Sequence, residues 1–253
     1  MHKIAADLAT AVADIEDEMS VMIGGFGGSG APIELIHALI GRFHATGHPK
    51  GLTVINNNSG NGHVGLAALI EAGMVAKLIC SYPRSADPVV FTEAYLGGRI
   101  ALELVPQGTL AERIRAGGAG IPAFYTPTGY GTELAAGKHI EEFDGRPYLR
   151  ERWLKADFAL IKAELADPHG NLTYRGAGRN FGPLMCMAAR TSVVQVRKLV
   201  PLGALDPETI VTPGIFVQRV VEVADPAQEE ALNRAKAAYP LPAAGGLRSE
   251  TAR

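Results

Sequence analysis

The residues most suited to chemistry lie in one short stretch, Gly24-Gly25-Phe26-Gly27-Gly28-Ser29-Gly30-Ala31-Pro32, with five glycines among its first seven positions. Glycine permits positive φ and lets backbone amides approach a ligand with no Cβ in the way. Such amides, together with the start of a following helix, can hold a phosphate or a developing oxyanion. Gly25, Gly27 and Gly30 also satisfy G-x-G-x-x-G. A dinucleotide site further requires an acidic residue at the end of the next strand, to hold the ribose hydroxyls. Here that strand runs into Asn56-Asn57-Asn58, with no Asp or Glu before Glu71, and Phe26 suits a pocket wall better than a pyrophosphate turn. The dinucleotide reading therefore falls, and a ligand-free tight turn is the plain alternative.

Other residues have the right types at sheet ends. Gln107 follows the apolar stretch Ile100–Val105; its amide can donate to a substrate carbonyl, or it is a loop glutamine bonded to backbone. Asn57 and Asn58 can orient a carbonyl, or end a strand by local side-chain bonding. His44 and His48 have the i, i+4 spacing of a metal pair, but Gly47 and Pro49 break the helix there and no third ligand is in view, so no metal site is expected. Cys80 is read as a small buried hydrophobe rather than a nucleophile, because nothing nearby in sequence would activate it. Met185, Cys186 and Met187 read as core or interface, and Glu151, Arg152 and Lys155 as a solvated charge cluster.

Strands and helices in alternation must position these groups. Ser20–Ile23, Leu52–Ile55, Lys77–Cys80, Ile100–Val105, Asp157–Lys162, Ser192–Val196 and Phe216–Val223 read as strands. Helices are expected from Pro32, over Gly65–Ala72 and Asp87–Tyr95, and over Pro183–Arg190. Thr109-Leu110-Ala111-Glu112 has capping-box spacing and predicts a helix start there, ending at Gly117-Gly118. Gly120–Thr132 reads as loop, Ile140–Leu149 as a hairpin about Asp144-Gly145, and Asp167–Asn171 as a turn. The implied fold class is α/β: an open, mainly parallel sheet with helices on both faces and a small antiparallel insert. One domain over 1–225, its hairpin insert near 138–150, precedes a C-terminal helix and disordered tail over 226–253.

Composition sets the outer limits. In 253 residues, 47% are hydrophobic and 20% charged, enough apolar material for a sizeable core, and the net charge of −2 speaks against nucleic acid or an anionic membrane as partner. No apolar run reaches the roughly 18 residues of a membrane helix. Acidic residues from Asp7 to Asp17 interrupt any signal-peptide pattern, and two cysteines suit a reducing cytoplasm.

From Asp17 to Pro32 the chain resembles the signature of the class I CoA-transferases, an acidic or amide residue leading through an apolar triplet, here Val21-Met22-Ile23, to Gly-Gly-Phe-x-x-x-Gly-x-Pro. Glu18 departs from it, since glycine is usual there. The resemblance continues through Val105–Arg115, Gly117–Gly120, Tyr125–Thr132, Gly170–Tyr174 and Ala177–Phe181, up to about Val223. Within the family it is similar to the A-type (alpha) chains of two-chain 3-oxoacid enzymes. Asn57–Gly62, Gly65–Leu69, Cys80–Arg84 and Gly214–Val221 look most like the 3-oxoadipate branch.

The resemblance implies transfer of coenzyme A from succinyl-CoA to a 3-oxoacid through a glutamyl-CoA intermediate. The coenzyme A thioester is then substrate, with no permanently bound cofactor. The family's nucleophilic glutamate sits in a Ser-Glu-Asn-Gly motif of the B-type (beta) chain, and no such motif occurs here. This chain should therefore lend the Gly24–Gly30 turn and part of an acyl pocket with Gln107, Asn57 and Asn58 to a B-type partner, in a heterodimer or α2β2. Arg84 is a candidate for the distal carboxylate that 3-oxoadipate carries and acetoacetate lacks. Rival readings are half of an acetoacetate-type transferase, a phosphosugar isomerase of similar build, and a non-catalytic nucleotide-binding chain.

Overall fold

The computed structural model describes residues 3–231. Its centre is a sheet in which β1 (Ser20–Ile23), β2 (Leu52–Ile55), β3 (Val75–Cys80), β4 (Ala101–Leu104), β8 (Ala156–Ala166), β10 (Ala189–Leu199) and β11 (Arg219–Glu222) run parallel in the order β11-β10-β8-β1-β2-β3-β4. The short β9 (Leu172–Thr173) pairs antiparallel with the end of β8. A second, antiparallel sheet has the order β5-β7-β6, from β5 (Ala123–Thr126), β6 (Ile140–Phe143) and β7 (Arg146–Arg152). The expected fold class is thus observed.

Alternation along each strand divides the core into two layers. Val21, Ile23, Leu52 and Val54 face α1 (Leu8–Ala11), α2 (Ile33–Thr46), α3 (Leu66–Glu71) and α4 (Val89–Leu96). Met22, Ile55, Ile79 and Ile161 face α5 (Gln107–Ala119) and α6 (Gly182–Ala188). β1 and β2 have the bounds read from their apolar runs, whereas β8 and β10 extend further, being hydrogen-bonded to each other along most of their length. The last strand starts at Arg219 rather than Phe216, because Gly214–Phe216 forms a 3₁₀ turn.

Three local expectations need correction. The helix expected to start at Thr109 starts at Gln107 behind Pro106, whose fixed φ sets the entry, and no side chain caps it. Thr109 is consequently inside the helix, its Oγ1 buried without a hydrogen-bond partner among the described residues, and Glu112 pairs with Arg115 instead. The stretch read as loop contains β5, which pairs with β7. Glu151 is not part of a solvated cluster: it lies on the inward register of β7 with Leu149 and is buried, where Lys138 reaches its carboxylate. The hairpin itself is as expected, with Asp144 and Gly145 both at positive φ (52° and 72°) in a tight turn.

Glu18 also holds positive φ, 62°, which gives a physical reason why glycine is usual at that place in the signature. A helix begins at 227; of the C-terminal helix and tail expected over 226–253, residues 232–253 lie outside the described residues. Among the described residues no helix is long and apolar enough to cross a membrane.

Candidate functional site

Parallel strands end together, so the glycine turn, the asparagines, the segment holding Arg84 and Gln107 all emerge on one carboxyl edge, from β1, β2, β3 and β4 in that order. Such edges are where open α/β sheets bind ligands.

At β1, Gly24 N donates to Leu160 O (2.9 Å) and Phe26 and Ser29 exchange both backbone hydrogen bonds (3.0 Å each), so Gly27 and Gly28 form the tip of a miniature hairpin. Their φ values are 58° and 90°, conformations that glycine adopts freely. The Gly25 amide donates to Asn180 Oδ1 (3.2 Å). The amides of Gly27 and Gly28 have no partner among the described residues, so these two donors of the turn are available to a ligand. The start of α2 is less open than the sequence suggests, because the Leu35 amide donates to the buried Gln195 Oε1 (3.1 Å).

The turn has a recess on either side. One is a cleft of about 810 Å³ whose lining includes Gly27–Gly30, Lys162, Glu164, Arg175, Arg197 and Glu230. Lys162 is paired with Glu229 there, leaving the arginines as its cations without a partner among the described residues. The other is a small pocket of about 50 Å³ between Gly24, Gly25 and Gly28 and the asparagine segment, floored by Ile33 and Ile36.

In that segment Asn56 Nδ2 donates to Ile23 O (2.7 Å), tying β2 to β1, and its Oδ1 accepts from the Asn58 amide (2.8 Å). Asn58 Oδ1 in turn accepts from the Gly60 amide (2.8 Å), and Asn58 lines the small pocket against the turn. Asn57 points the other way. It is buried, and its Nδ2 lies 3.2 Å from Ser81 Oγ and 3.3 Å from Gln107 Oε1. Gln107, the exposed first residue of α5, thereby has its oxygen engaged and both N–H groups of Nε2 without a partner among the described residues. An amide so oriented is a donor for a carbonyl or oxyanion.

The structure therefore brings Asn58 to the turn and Asn57 to Gln107. It does not bring Arg84 to either: that side chain is exposed beyond β3, with no hydrogen bond or ion pair among the described residues. Burial pushes the Cys80 thiol up to about 12, so at neutral pH it is no thiolate. Cys186 is likewise buried and pushed up to about 12. His48 stands 2.9 Å from Asp17 rather than facing His44. Glu103 is bound to Lys77 (2.6 Å) and Arg113 (2.9 Å), which hold its carboxyl below the usual range against the opposing effect of burial.

Sequence reasoning passed over Ser81, Asn180, and the cleft residues Lys162, Glu164, Arg175 and Arg197. Ser81 and Asn180 have no local signature; each matters through a partner far along the chain.

Residues 5–223 match the family model described as Coenzyme A transferase, and the chain belongs to that family. More particularly, it is 58% identical over 223 residues, 88% of this chain and 94% of the relative, to the A-type chain of the 3-oxoadipate CoA-transferase of Pseudomonas putida. It is 55% identical to the protein of the same name from Acinetobacter baylyi, over 88% of this chain and 96% of the relative. With the A-type chain of the succinyl-CoA:3-ketoacid coenzyme A transferase of Helicobacter pylori it shares 44% identity, over 87% of this chain and 92% of the relative. Among solved structures it superposes on an acyl-CoA transferase from E. coli O157:H7 in a thioester complex with CoA, with a TM-score of 0.79 and 23% identity, over 90% of this chain and 51% of that one. This last likeness is one of fold.

Proposed function

We propose that the chain is the A-type half of a two-chain, cytoplasmic CoA-transferase that moves coenzyme A from succinyl-CoA to a 3-oxoacid, with 3-oxoadipate as acceptor. The observation that carries it is the identity of 58% and 55% with two proteins named as A-type chains of 3-oxoadipate CoA-transferase. The geometry supports the same reading. The carboxyl edge offers hydrogen-bond donors, and the sequence contains no Ser-Glu-Asn-Gly motif; in this reading residues 1–225 are one domain.

In the proposed reaction a glutamate carboxylate of the B-type partner attacks the thioester carbonyl, and the electron pair of the C=O moves onto oxygen. Collapse expels the CoA thiolate and leaves an acyl-glutamyl anhydride; the thiolate then attacks the glutamyl carbonyl, releasing succinate and forming glutamyl-CoA. The acceptor carboxylate repeats the sequence in reverse. This is covalent catalysis that divides one transfer into smaller steps. Each tetrahedral oxyanion needs donors placed beforehand; Gly27 and Gly28 supply backbone donors and Gln107 Nε2 a side-chain donor. The small pocket between the turn and Asn58 holds the acyl end.

The test is to assay the purified chain, its purified partner and the reconstituted pair, then trap the CoA adduct and locate it by peptide mass spectrometry. Turnover is expected only from the pair, with the adduct on a partner glutamate. Turnover by this chain alone, or an adduct on Glu164 beside the glycine turn, would overturn the proposal. The 44% identity with a succinyl-CoA:3-ketoacid transferase chain favours a second reading with acetoacetate as acceptor, which a panel of acceptor acids separates from the first.

A further inference from the structure

Among the described residues one side chain holds the glycine turn from outside. Asn180 Oδ1 accepts from the Gly25 amide (3.2 Å) and from the Phe181 amide (2.7 Å), while its Nδ2 donates to Ser29 O (2.9 Å) and Ala177 O (2.8 Å). Both acceptor sites and both donors of the amide are thus engaged. Two of the four contacts grip the turn, at its entry (Gly25) and its exit (Ser29), and the other two fix Asn180 to its own segment. That segment also presses on the turn through backbone, since a Cβ on Gly30 would lie 2.4 Å from Gly178 O. Between the gripped residues lie Gly27 and Gly28, whose amides carry no partner among the described residues.

We propose that Asn180 is a positioning residue for the reaction: by clamping Gly25 and Ser29 it fixes the direction of the Gly27 and Gly28 amides. The mechanical argument is direct. Glycines have little intrinsic preference for one φ, so an unclamped Gly-Gly tip samples several donor directions. Electrostatic stabilisation of an oxyanion depends on donors that need no reorganisation when charge develops. A displacement of about 1 Å in such groups costs up to about a hundredfold in rate. Asn180 touches no substrate in this scheme and acts through the turn. The proposal rests on the CoA-transferase reading for its kinetic consequence but not for its structural one.

The experiment uses the reconstituted pair carrying Asn180→Ala or Asn180→Asp, with kcat referred to the assembled complex. Asn180→Ala should lower kcat by tenfold to about a hundredfold, with KM for succinyl-CoA within about twofold. Asn180→Asp keeps the acceptor for Gly25 but loses both donors and sets a carboxylate against Ser29 O and Ala177 O, so kcat should fall there too; being isosteric, it is the variant to read if Asn180→Ala does not fold. In parallel, the glycine amide resonances of selectively ¹⁵N-labelled protein should move for Gly25, Gly27, Gly28 and Gly30 and stay for Gly145 in the distant hairpin. Assembled variants with wild-type kcat would overturn the positioning role, since a merely structural residue lowers stability and not turnover per complex. Failure of the wild-type pair to transfer CoA would instead defeat the functional reading, and the resonances would then decide on the clamp alone: unmoved turn glycines would refute it.

Discussion

Replacing Gly30 by alanine should damage the protein far more than the same change at Gly27, three residues away. Both glycines hold positive φ, 74° and 58°, and an L-residue there costs about 1–2 kcal/mol. Against that, alanine restricts the unfolded chain and returns about 0.4–1 kcal/mol. At Gly27 no atom lies within 4 Å of the added Cβ, so the two effects nearly offset and about 1 kcal/mol of destabilisation is left. At Gly30 the Cβ would sit 2.4 Å from Gly178 O and 2.9 Å from Gly178 Cα. Those obstacles are backbone, which cannot swing aside as a side-chain end can, and relieving such overpacking adds about 1–3 kcal/mol. The expected total for Gly30→Ala is about 2–4 kcal/mol. At about 2–4 °C per kcal/mol for a domain of this size, that is a fall in Tm of roughly 4–16 °C, against a few degrees for Gly27→Ala. Thermal unfolding of the two variants beside wild type measures it. Equal shifts at the two positions would refute the assignment of Gly178 as the wall behind the turn.

Four further expectations concern single residues. Gln107→Ala should reduce kcat/KM of the reconstituted pair by about a hundredfold, as loss of one preorganised oxyanion donor does; a near-wild-type value would remove Gln107 from the site. Arg84→Ala should raise KM for a 3-oxoacid with a distal carboxylate by on the order of tenfold, the low end for a charge-assisted bond because the side chain is exposed. Acetoacetate should be unaffected, and an equal effect on both acceptors would reject the role. Glu18→Gly relieves a residue held at φ 62° and should raise Tm by a degree or two; a lower Tm would show that the Glu18 side chain contributes more than its backbone strain costs. His37 is held neutral, its pKa lowered from 6.5 by burial against an opposing pull from Glu34, while its Nε2 accepts from the Gly65 amide (3.1 Å). Because the unfolded chain takes up that proton more readily, stability should decline as pH falls through about 6.5. His37→Gln should flatten the dependence of Tm on pH between about pH 7 and pH 5, and parallel curves for the two proteins would count against it.

How much of this was legible in the residues varies with how local the cause is. β1 and β2 were readable to their ends because each is a continuous apolar run stopped by glycine or asparagine. The start of α5 was misread because Thr109 and Glu112 have capping-box spacing, yet Pro106 ends the preceding strand and starts the helix two residues earlier, placing Thr109 inside it. β5 was missed because only its pairing with β7 makes it a strand, and strand preference is largely such context. The site divides the same way. Glycine at Gly27 and Gly28 announces its purpose through its own backbone freedom. The role of Asn57 beside Gln107, 50 residues apart, and of Asn180 beside Gly25, 155 residues apart, exists only once the strand order is known.

That strand order also sets the layout of the site. The turn follows β1 and Gln107 follows β4, but the Gln107 side chain reaches back to Asn57 (3.3 Å), which follows β2, the strand next to β1. The turn amides and the Gln107 amide thus flank one asparagine segment, Asn58 toward the turn and Asn57 toward Gln107. Asn56, Asn57, Asn58 and Ser81 fill the interval and couple neighbouring strands by hydrogen bonds. A row of neutral amides can align an acyl thioester and stabilise charge as it develops, but the amides themselves supply no carboxylate to attack the acyl carbon. The nearby glutamates of the cleft lie on the β8 side of the turn, away from Gln107. In the proposed reaction the attacking carboxylate comes from the B-type partner, and the open edge is where that reading places it.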